Sequence, residues 1–468
     1  MKTSLRWAAV ASAAALTLAA CSSSPASTPT SSTSPAAASG QPSSTAASSA
    51  VASSAFPAEA VNLKMWWWGE AEAPGAQKWL DQAIAAYQKL HPNVTITPTL
   101  QTTDGLIPTF EAAAAASQGP DIQYFWGGIY SQQPGWKNQI VPVSDYIPAS
   151  ELSHYTNAKL EDSYQGKTWT APWYVNPSFP VLVNKALLAA NGLGIPNTWD
   201  DLLKTCDTLS AKGITTLAGG VKDGWFGGWL YSILGAQSID SQKMVLDAAV
   251  GKASFTDPAM ADWWNRLQET REHKCWNDDI NSLELYQAQQ RFVQGKAAMT
   301  VTAGPDAPNF AAKAGGPSKI EVIAMPKWGS SSYAGRIASS SQTLGITKWS
   351  KYPQIAADFI QFTHSPAQLQ AWYSITGSLP ADDRFNLAQV IDPIKKQLFA
   401  SGGDGVPYLE NFIPAQLDTD AVFKNVQLVL KGSVTGAQAA VDMQATAERL
   451  RKTDRKLVDN FTAWAASS

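Results

Sequence analysis

From residue 61 onward, hydrophobic and polar positions alternate in blocks that predict strands and helices in turn. Residues 61–67 are typical of a strand, and residues 74–90 place apolar side chains at helical spacing until His91 and Pro92 end the helix. A strand over 94–100, a helix over 106–117 and a strand over 121–126 follow. This strand-helix-strand-helix-strand order predicts an open, mainly parallel sheet and hence an α/β fold.

The residues at the strand ends are candidate ligand contacts, because ligands of open α/β sheets sit beyond the carboxyl ends of the strands. Trp68 and Glu70 follow the first predicted strand, and Trp126 ends the third. A core position is the commoner fate of each tryptophan taken alone. We expect at least one of Trp68 and Trp126 to face a cleft.

Residues 164–193 contain two short extended segments on either side of a bend rich in proline and serine. Proline fixes φ and removes a ladder donor, so this segment can cross between two lobes. The alternative is a strand pair within one buried sheet. Within the segment, Trp173 and Asn176 are candidate ligand contacts.

The second half of the chain also predicts alternating helices and strands. Thr198 and Asp201 have capping-box spacing at the start of one helix, and Pro258 opens another. Residues 292–301 predict a helix end, a glycine and a strand. Residues 437–464 predict one final helix that packs along a lobe, although Asp454 interrupts its apolar stripe.

Composition narrows the classes of partner and site. The net charge of −3 argues against nucleic acid, which would favour a basic patch. The 19 tryptophans exceed what a core alone suggests, and their broad apolar faces with one donor each suit sugar rings. Cys206 and Cys275 fall on predicted helices and could be bridged or remain buried thiols. No metal or cofactor is expected, because no ligand constellation is present.

The N-terminus predicts export and anchoring. Residues 1–20 combine a basic start with a short apolar core, as a signal peptide does, and Leu-Ala-Ala-Cys ending at Cys21 matches the bacterial lipobox. We therefore expect lipid on Cys21 and an anchor at the outer face of the cytoplasmic membrane. A secretory signal with a chance cysteine is the alternative. Residues 21–57, rich in Ser, Ala, Thr and Pro, predict a disordered tether.

The motifs GKTWTAPW at 166–173, VNK at 183–185, PNTWDDLL at 196–203 and FVQGKAAM at 292–299 together resemble those of bacterial extracellular solute-binding proteins. These are the sugar-binding family of ABC importers that includes maltose-binding protein. The resemblance implies a type II periplasmic-binding-protein-like fold, with two α/β lobes joined by a hinge. We expect an N-terminal lobe of residues 58–174 and 336–390, and a C-terminal lobe of residues 178–333 and 395–468.

The resemblance also implies ligand contacts. In sugar-binding relatives the stretch that matches residues 223–230 supplies an acid and an aromatic ring, which carries over to Asp223 and Trp225 and less directly to Trp229. The alternative here is a helix start loosened by glycine, with tryptophans in the core.

Two further positions lie on motifs that the resemblance places at the cleft. Asp306 stands where many relatives have an aromatic residue after Gly-Pro, which favours a donor-rich or cationic ligand group unless Asp306 caps the next helix. The second lobe crossing would bring Arg336 and Ser341 near the cleft, although a structural ion pair is the commoner role of an arginine.

The implied function is capture of a carbohydrate, an oligosaccharide, by a monomer that delivers it to an ABC permease and ATPase on separate chains. The sequence has no P-loop motif, and we expect no enzymatic activity. One alternative is a binding protein for a peptide or polyamine. Another is a secreted glycoside hydrolase, which needs two carboxylates about 5 to 10 Å apart; Glu70, Asp223 and Asp306 would be its candidates.

Overall fold

The computed structural model describes residues 56–103, 105–401 and 406–467. The predicted signal peptide, Cys21 and residues 21–55 of the predicted tether lie outside the described residues. Residues 56–468 form one compact unit of mixed sheets and helices, which confirms the α/β class. Within the described ranges, no helix is long and apolar enough to span a membrane.

The strands are short and mostly buried. In chain order they are β1 (Val61–Trp67), β2 (Val94–Leu100), β3 (Ile122–Trp126), β4 (Ile140–Val141), β5 (Ser163–Tyr164), β6 (Lys167–Thr168), β7 (Ala171–Ser178), β8 (Val181–Asn184), β9 (Thr215–Ala218), β10 (Ala297–Val301), β11 (Ile320–Ile323), β12 (Ala338–Thr347) and β13 (Leu379–Pro380).

The helices lie between and after these strands. They are α1 (Ala76–Leu90), α2 (Leu106–Ala115), α3 (Ile129–Trp136), α4 (Ala149–Leu152), α5 (Ala158–Glu161), α6 (Lys185–Ala190), α7 (Trp199–Ser210), α8 (Phe226–Leu230), α9 (Gln242–Val250), α10 (Pro258–Glu272), α11 (Leu285–Val293), α12 (Ala307–Lys313), α13 (Pro353–Thr363), α14 (Pro366–Thr376), α15 (Pro393–Ser401), α16 (Ala415–Leu417), α17 (Lys424–Lys431), α18 (Gly436–Thr453) and α19 (Arg455–Ala465).

The first sheet has seven strands in the order β13-β7-β12-β3-β1-β2, with β4 paired to β12. The predicted elements at its start are confirmed, because β1 pairs in parallel with both β2 and β3. Alternate residues of β1 are buried, since helices cover one face of the strand and its side chains point to both faces in turn. Strand β12 runs antiparallel between β3 and β7.

The second sheet has four strands in the order β11-β8-β10-β9. The chain enters it at Phe179 and Pro180, which link β7 of the first sheet to β8 of the second. It returns between β11 and β12. Residues 164–193 therefore run from one sheet to the other, which corrects the alternative of a strand pair within one sheet. The lobe boundaries and the hinge stay predictions.

Cys206 and Cys275 form a disulfide, which resolves the alternative that the sequence left open. Cys206 lies on α7, as predicted. Cys275 follows the end of α10, so the prediction that it lies on a helix was wrong. The bridge closes a loop with a sequence separation of 69 residues. On the chain-entropy model, a loop of this length stabilises the folded state by about 4 kcal/mol.

The prediction of one long C-terminal helix was wrong. The segment consists of α18 and α19, separated at Asp454. The Asp454 side chain accepts a hydrogen bond from the backbone nitrogen of Leu457, so it caps the start of α19. The residue that interrupts the apolar stripe is thus the residue that begins a new helix.

Candidate functional site

Glu72 lies in the turn after β1 and is held by two side chains of β7. The Tyr174 hydroxyl donates to its Oε2 at 3.2 Å, and the Asn176 amide donates to its Oε1 at 3.0 Å. Tyr174 and Asn176 are two residues apart on one strand, so their side chains share a face. Burial raises the pKa of Glu72 to about 7; the hydrogen bonds oppose the rise, and the charge of Asp306 adds to it.

Asp306 comes to this place from the other sheet. It ends the short 3₁₀ turn Gly304–Asp306 that follows β10, and burial raises its pKa to about 6 while Lys313 opposes the rise. Its side chain makes no capping hydrogen bond to α12, so the structure does not give Asp306 the alternative capping role.

Tyr286 joins the two acids from α11. Its pKa is raised to about 12, first by burial and then by the charges of Asp306 and Glu72, although about half of the side chain (51%) is exposed. Glu72, Asp306 and Tyr286 therefore lie close enough for their charges to interact. These three residues and Asn176 come from segments next to both sheets. We call the four residues the Glu72 site.

The backbone around Gly304 fixes the contact between the two sheets. A Cβ built on Gly304 would lie 1.6 Å from the carbonyl oxygen of Pro177, so only glycine allows the 3₁₀ turn to approach the end of β7 this closely. The same built Cβ would lie 3.4 Å from Oδ1 of Asn176. This oxygen is buried and has no hydrogen-bond partner.

A chain of aromatic rings, which we call the aromatic row, runs beside the Glu72 site. Neighbouring ring centroids are 4.4 Å apart for Tyr408 and Phe179, 4.6 Å for Phe179 and Trp229, 4.9 Å for Trp229 and Trp225, and 5.7 Å for Trp225 and Tyr286. The charge of Glu72 contributes to raised pKa values at both ends of the row, Tyr408 and Tyr286, after burial as the main cause. The row therefore begins and ends near Glu72.

Local sequence explains how α8 and its N-cap residue, Trp225, supply two members of the row. Trp225 and Trp229 are four residues apart, a spacing that puts side chains on one face of a helix. A Cβ built on Gly228 would lie 1.7 Å from Oε2 of Glu410, so glycine lets the helix approach this carboxylate.

Two further acids lie near α8, since Glu410 adjoins Gly228 and Asp418 affects Glu410. Burial raises the pKa values of Glu410 and Asp418 well above their ordinary range, and the charge of Asp418 adds to the rise at Glu410. The pKa of Tyr130 is raised by burial and by both acids. The Tyr130 ring lies 5.6 Å from Trp126, whose own ring lies 5.6 Å from Trp68. Trp68 and Trp126 thus form a second aromatic group, on the first sheet.

The structure brings together several of the predicted site residues. Asn176 and Asp306 lie in the Glu72 site, Trp225 and Trp229 lie in the aromatic row, and Asp223 is exposed beside Trp225, whose side chain is hydrogen-bonded to it. Burial and then the charge of Glu284 raise the pKa of Asp223.

Other predicted site residues are engaged in the fold. Glu70 accepts hydrogen bonds from the backbone nitrogens of Gly75 and Gln77 at 2.8 and 2.7 Å, where it stabilises the start of α1. Trp173 is 4% exposed and packs on Trp79 and on Trp372 in the core.

Ser341 lies on β12, where it pairs with Val175 of β7 and contacts two other acids. The Ser341 backbone nitrogen donates to Oε2 of Glu161 at 2.8 Å, and its hydroxyl lies 2.9 Å from Glu161 and from Asp162. Burial raises the pKa values of these acids to about 7 and about 8. Arg336 is exposed in the segment between β11 and β12.

Sequence reasoning missed Glu72, Tyr286, Phe179 and Tyr408. Glu72 stands only two residues beyond Glu70, so the strand-end argument could have included it. Tyr286 and Tyr408 stand in no motif, and only the folded chain brings them to Glu72. In the described part of the chain, no group of three or more His, Cys, Asp and Glu residues could hold a metal ion.

Comparison with known proteins gives one family and many structures of the same fold. A family model described as bacterial extracellular solute-binding protein matches residues 82–397. A structure from work on xylan utilization by the thermophilic bacterium Caldanaerobius polysaccharolyticus is 23% identical, with a TM-score of 0.68 over 82% of this chain and 100% of its own.

Two further similar structures are of proteins described with a sugar ligand. A chitin oligosaccharide binding protein is 19% identical, with a TM-score of 0.71 over 83% of this chain and 98% of its own. A solute-binding protein in complex with raffinose is 17% identical, with a TM-score of 0.66 over 84% and 100%. At these identities the likeness is one of fold. No curated protein sequence matches the chain.

Proposed function

Because the chain belongs to the family of bacterial extracellular solute-binding proteins, we infer that it captures a carbohydrate, an oligosaccharide, between its two sheets and delivers it to an ABC importer. The observation that carries this proposal is the aromatic row beside the acceptors of Glu72, Asp306 and Asn176. Sugar rings have apolar C–H faces and polar edges, so a ligand of this kind uses both parts at once.

The related structures support an oligosaccharide as the class of ligand. Proteins of the same fold are described as binding chitin oligosaccharide and raffinose. Three neighbouring rings of the aromatic row, Trp229, Trp225 and Tyr286, are partly exposed, which is more than one sugar ring requires, whereas Phe179 and Tyr408 are buried. A ligand of several units would contact more of the row than a monosaccharide.

Capture follows from the two-sheet arrangement. Glu72 follows β1 and Asn176 lies on β7 of the first sheet, whereas Asp306 follows β10 of the second sheet and Tyr286 lies on α11, the helix before β10. We propose that the two sheets form the predicted lobes, 58–174 with 336–390 and 178–333 with 395–468, and that they move about a hinge. A ligand that contacts both lobes binds the closed form more tightly and shifts the population toward it.

Delivery depends on parts of the assembly outside this chain. We propose that lipid on Cys21 anchors the protein at the outer face of the cytoplasmic membrane and that residues 21–57 act as its tether. A monomer in the closed form would then present the ligand to the permease, with ATP hydrolysed by a separate subunit. No cofactor enters this scheme.

Two other functions are distinguished by the experiment below. A glycoside hydrolase would use two carboxylates across the scissile bond, and Glu72 and Asp306 are acids in one site. A binding protein for peptides or polyamines would use the same acids without the sugar. We propose binding without catalysis, since the family and the similar structures are binding proteins.

The experiment is a thermal-shift screen of residues 56–468 against mono- and oligosaccharides, with amino acids, short peptides and polyamines alongside. Ligand at a hundred times Kd adds about 2.7 kcal/mol to the stability of a protein that binds it only when folded. We expect a shift with one sugar series and recovery of the intact sugar by mass spectrometry. Cleaved sugar would indicate a hydrolase, and a response to peptides or polyamines alone would overturn the choice of ligand class.

A further inference from the structure

The acids of the Glu72 site form no ion pair with a cationic side chain in the part of the chain that the structure describes. None of the ion pairs among residues 56–103, 105–401 and 406–467 includes Glu72 or Asp306. Lys313 acts on Asp306 only by opposing the rise of its pKa. Two carboxylates that share a partly dehydrated site repel each other, and a positive charge placed between them removes that cost.

Asn176 adds an acceptor to the same place. The side chain is 3% exposed, and its amide nitrogen already donates to Glu72. Its Oδ1 has no hydrogen-bond partner. This oxygen lies close to the turn that carries Asp306, since a Cβ built on Gly304 would be 3.4 Å from it. A buried acceptor without a donor is unfavourable, so a ligand that donates here gains affinity.

Two donors of the site are directed at Glu72. The Tyr174 hydroxyl and the Asn176 amide both donate to Glu72. The acceptors available to a ligand are the carboxylate oxygens of Glu72 and Asp306 and the Asn176 oxygen, and the exposed Tyr286 is a neighbouring group that can both donate and accept. A sugar hydroxyl donates one hydrogen, whereas an ammonium group donates three and brings a positive charge.

The rings next to these acceptors favour the same ligand. Tyr286 interacts electrostatically with both acids, and its ring lies 5.7 Å from that of Trp225. Aromatic faces attract cations and also pack on the C–H faces of sugars. A polyamine would pair with the acids but would not pack on the rings of the aromatic row. A neutral sugar would pack on the rings but would bring no positive charge to the acids.

We propose that the ligand is an amino sugar whose protonated primary amine lies between Glu72 and Asp306 while its ring packs on the aromatic row. This inference rests on the proposed capture of a carbohydrate and narrows the ligand within that class. The amine donates to the two carboxylates and to Oδ1 of Asn176, and its charge offsets the repulsion between the two acids.

The test compares sugars that differ only in the amine. Calorimetric titrations of residues 56–468, which form one compact unit, use glucosamine against glucose, galactosamine against galactose, and the glucosamine disaccharide of chitosan against cellobiose, with spermidine as a non-sugar amine. The variants are Glu72→Gln and Asp306→Asn. Glu321→Gln is the matched control, because Glu321 is an acid on β11 that pairs with Lys185 outside the site.

We expect at least one amino sugar to bind about tenfold more tightly than its neutral partner, as partly buried charge pairs give. Glu72→Gln and Asp306→Asn should each remove most of that preference, measured as the ratio of the two affinities, and Glu321→Gln should leave both affinities unchanged.

If the wild-type protein binds each neutral sugar as tightly as its amino counterpart, or more tightly, the amino-sugar inference is overturned and the proposed capture of a sugar stands. Binding of spermidine with no binding of any sugar would overturn both proposals. A preference for amino sugars that survives in Glu72→Gln and in Asp306→Asn would overturn the placement of the amine.

Discussion

Asn176 donates a hydrogen bond of 3.0 Å from Nδ2 to Oε1 of Glu72, and this contact joins the end of β7 to the turn after β1. Strand β7 is also the strand from which the chain passes to the second sheet. The residue that orients the acid therefore lies next to the crossing. A movement of the second sheet relative to the first would act close to this hydrogen bond.

Removal of an aromatic ring should weaken binding. We expect Trp225→Ala to lower the affinity for the sugar found in the thermal-shift screen by about 1 kcal/mol or more, since a ring stacked on a sugar contributes on that scale. The matched variant Trp225→Phe keeps a ring face and should lose less. Calorimetry measures both affinities, and equal affinity of Trp225→Ala and wild type would remove Trp225 from the site.

The stability of the ligand-free protein should fall as pH rises from 5 to 7. The folded protein raises the pKa of Glu72 to about 7 and that of Asp306 to about 6, above their ordinary values. Folding therefore favours their protonated forms, and the stability that these forms contribute is complete below the unfolded pKa and is lost as pH rises through the folded one.

Urea unfolding at several pH values tests this dependence in wild type, Glu72→Gln and the control Glu321→Gln. One proton changes the free energy of unfolding by at most about 1.4 kcal/mol per pH unit, and the partial exposure of Glu72 makes its share smaller. Glu72→Gln should flatten the curve between pH 5 and 7. The same slope in Glu72→Gln as in wild type would contradict the raised pKa.

Loss of the disulfide should destabilise the fold without changing the ligand site. Cys206 and Cys275 are both fully buried, and neither is among the rings of the aromatic row or the acids of the Glu72 site. We expect the double variant Cys206→Ala with Cys275→Ala to lose about 2 to 4 kcal/mol in urea unfolding. Its affinity for the sugar should stay within about twofold of wild type. A large loss of affinity would show that the bridge shapes the site.

A methyl group at Gly304 should separate the two sheets at their contact. Its Cβ would lie 1.6 Å from the Pro177 carbonyl oxygen, so Gly304→Ala forces the 3₁₀ turn away from β7 and moves Asp306 with it. We expect a loss of about 2 kcal/mol or more in stability, together with weaker sugar binding. Gly194→Ala is the control, because a Cβ there meets no atom within 4 Å. Wild-type stability and affinity in Gly304→Ala would contradict this contact.

The periodic parts of the fold could be predicted from the sequence because they depend on local spacing. β1, α1, β2, α2 and β3 follow the predicted order, and the capping box of Thr198 and Asp201 is present. Asp454 shows the limit of periodicity. A polar residue within an apolar stripe fits either a continuous helix or the cap of a new one, and here it caps α19.

The site was less predictable because its contacts join distant parts of the chain. Glu72 meets Asn176 across 104 residues, and Tyr286 reaches Glu72 only because α11 packs beside β10. Trp173 shows a second limit. All residues of β7 are buried, so the pattern does not reveal which face is core, and Trp173 turned out to face α1 and α14.

Calorimetric titration of the sugar found by the thermal-shift screen into wild type and the double variant Trp225→Ala with Tyr286→Ala tests the central claim most directly. Both residues lie in the aromatic row, and Tyr286 also adjoins the acids. Capture on the aromatic row predicts at least a tenfold loss of affinity in the double variant, about 1.4 kcal/mol, with the fold intact by circular dichroism. Wild-type affinity in the folded double variant would place the sugar elsewhere and contradict the account.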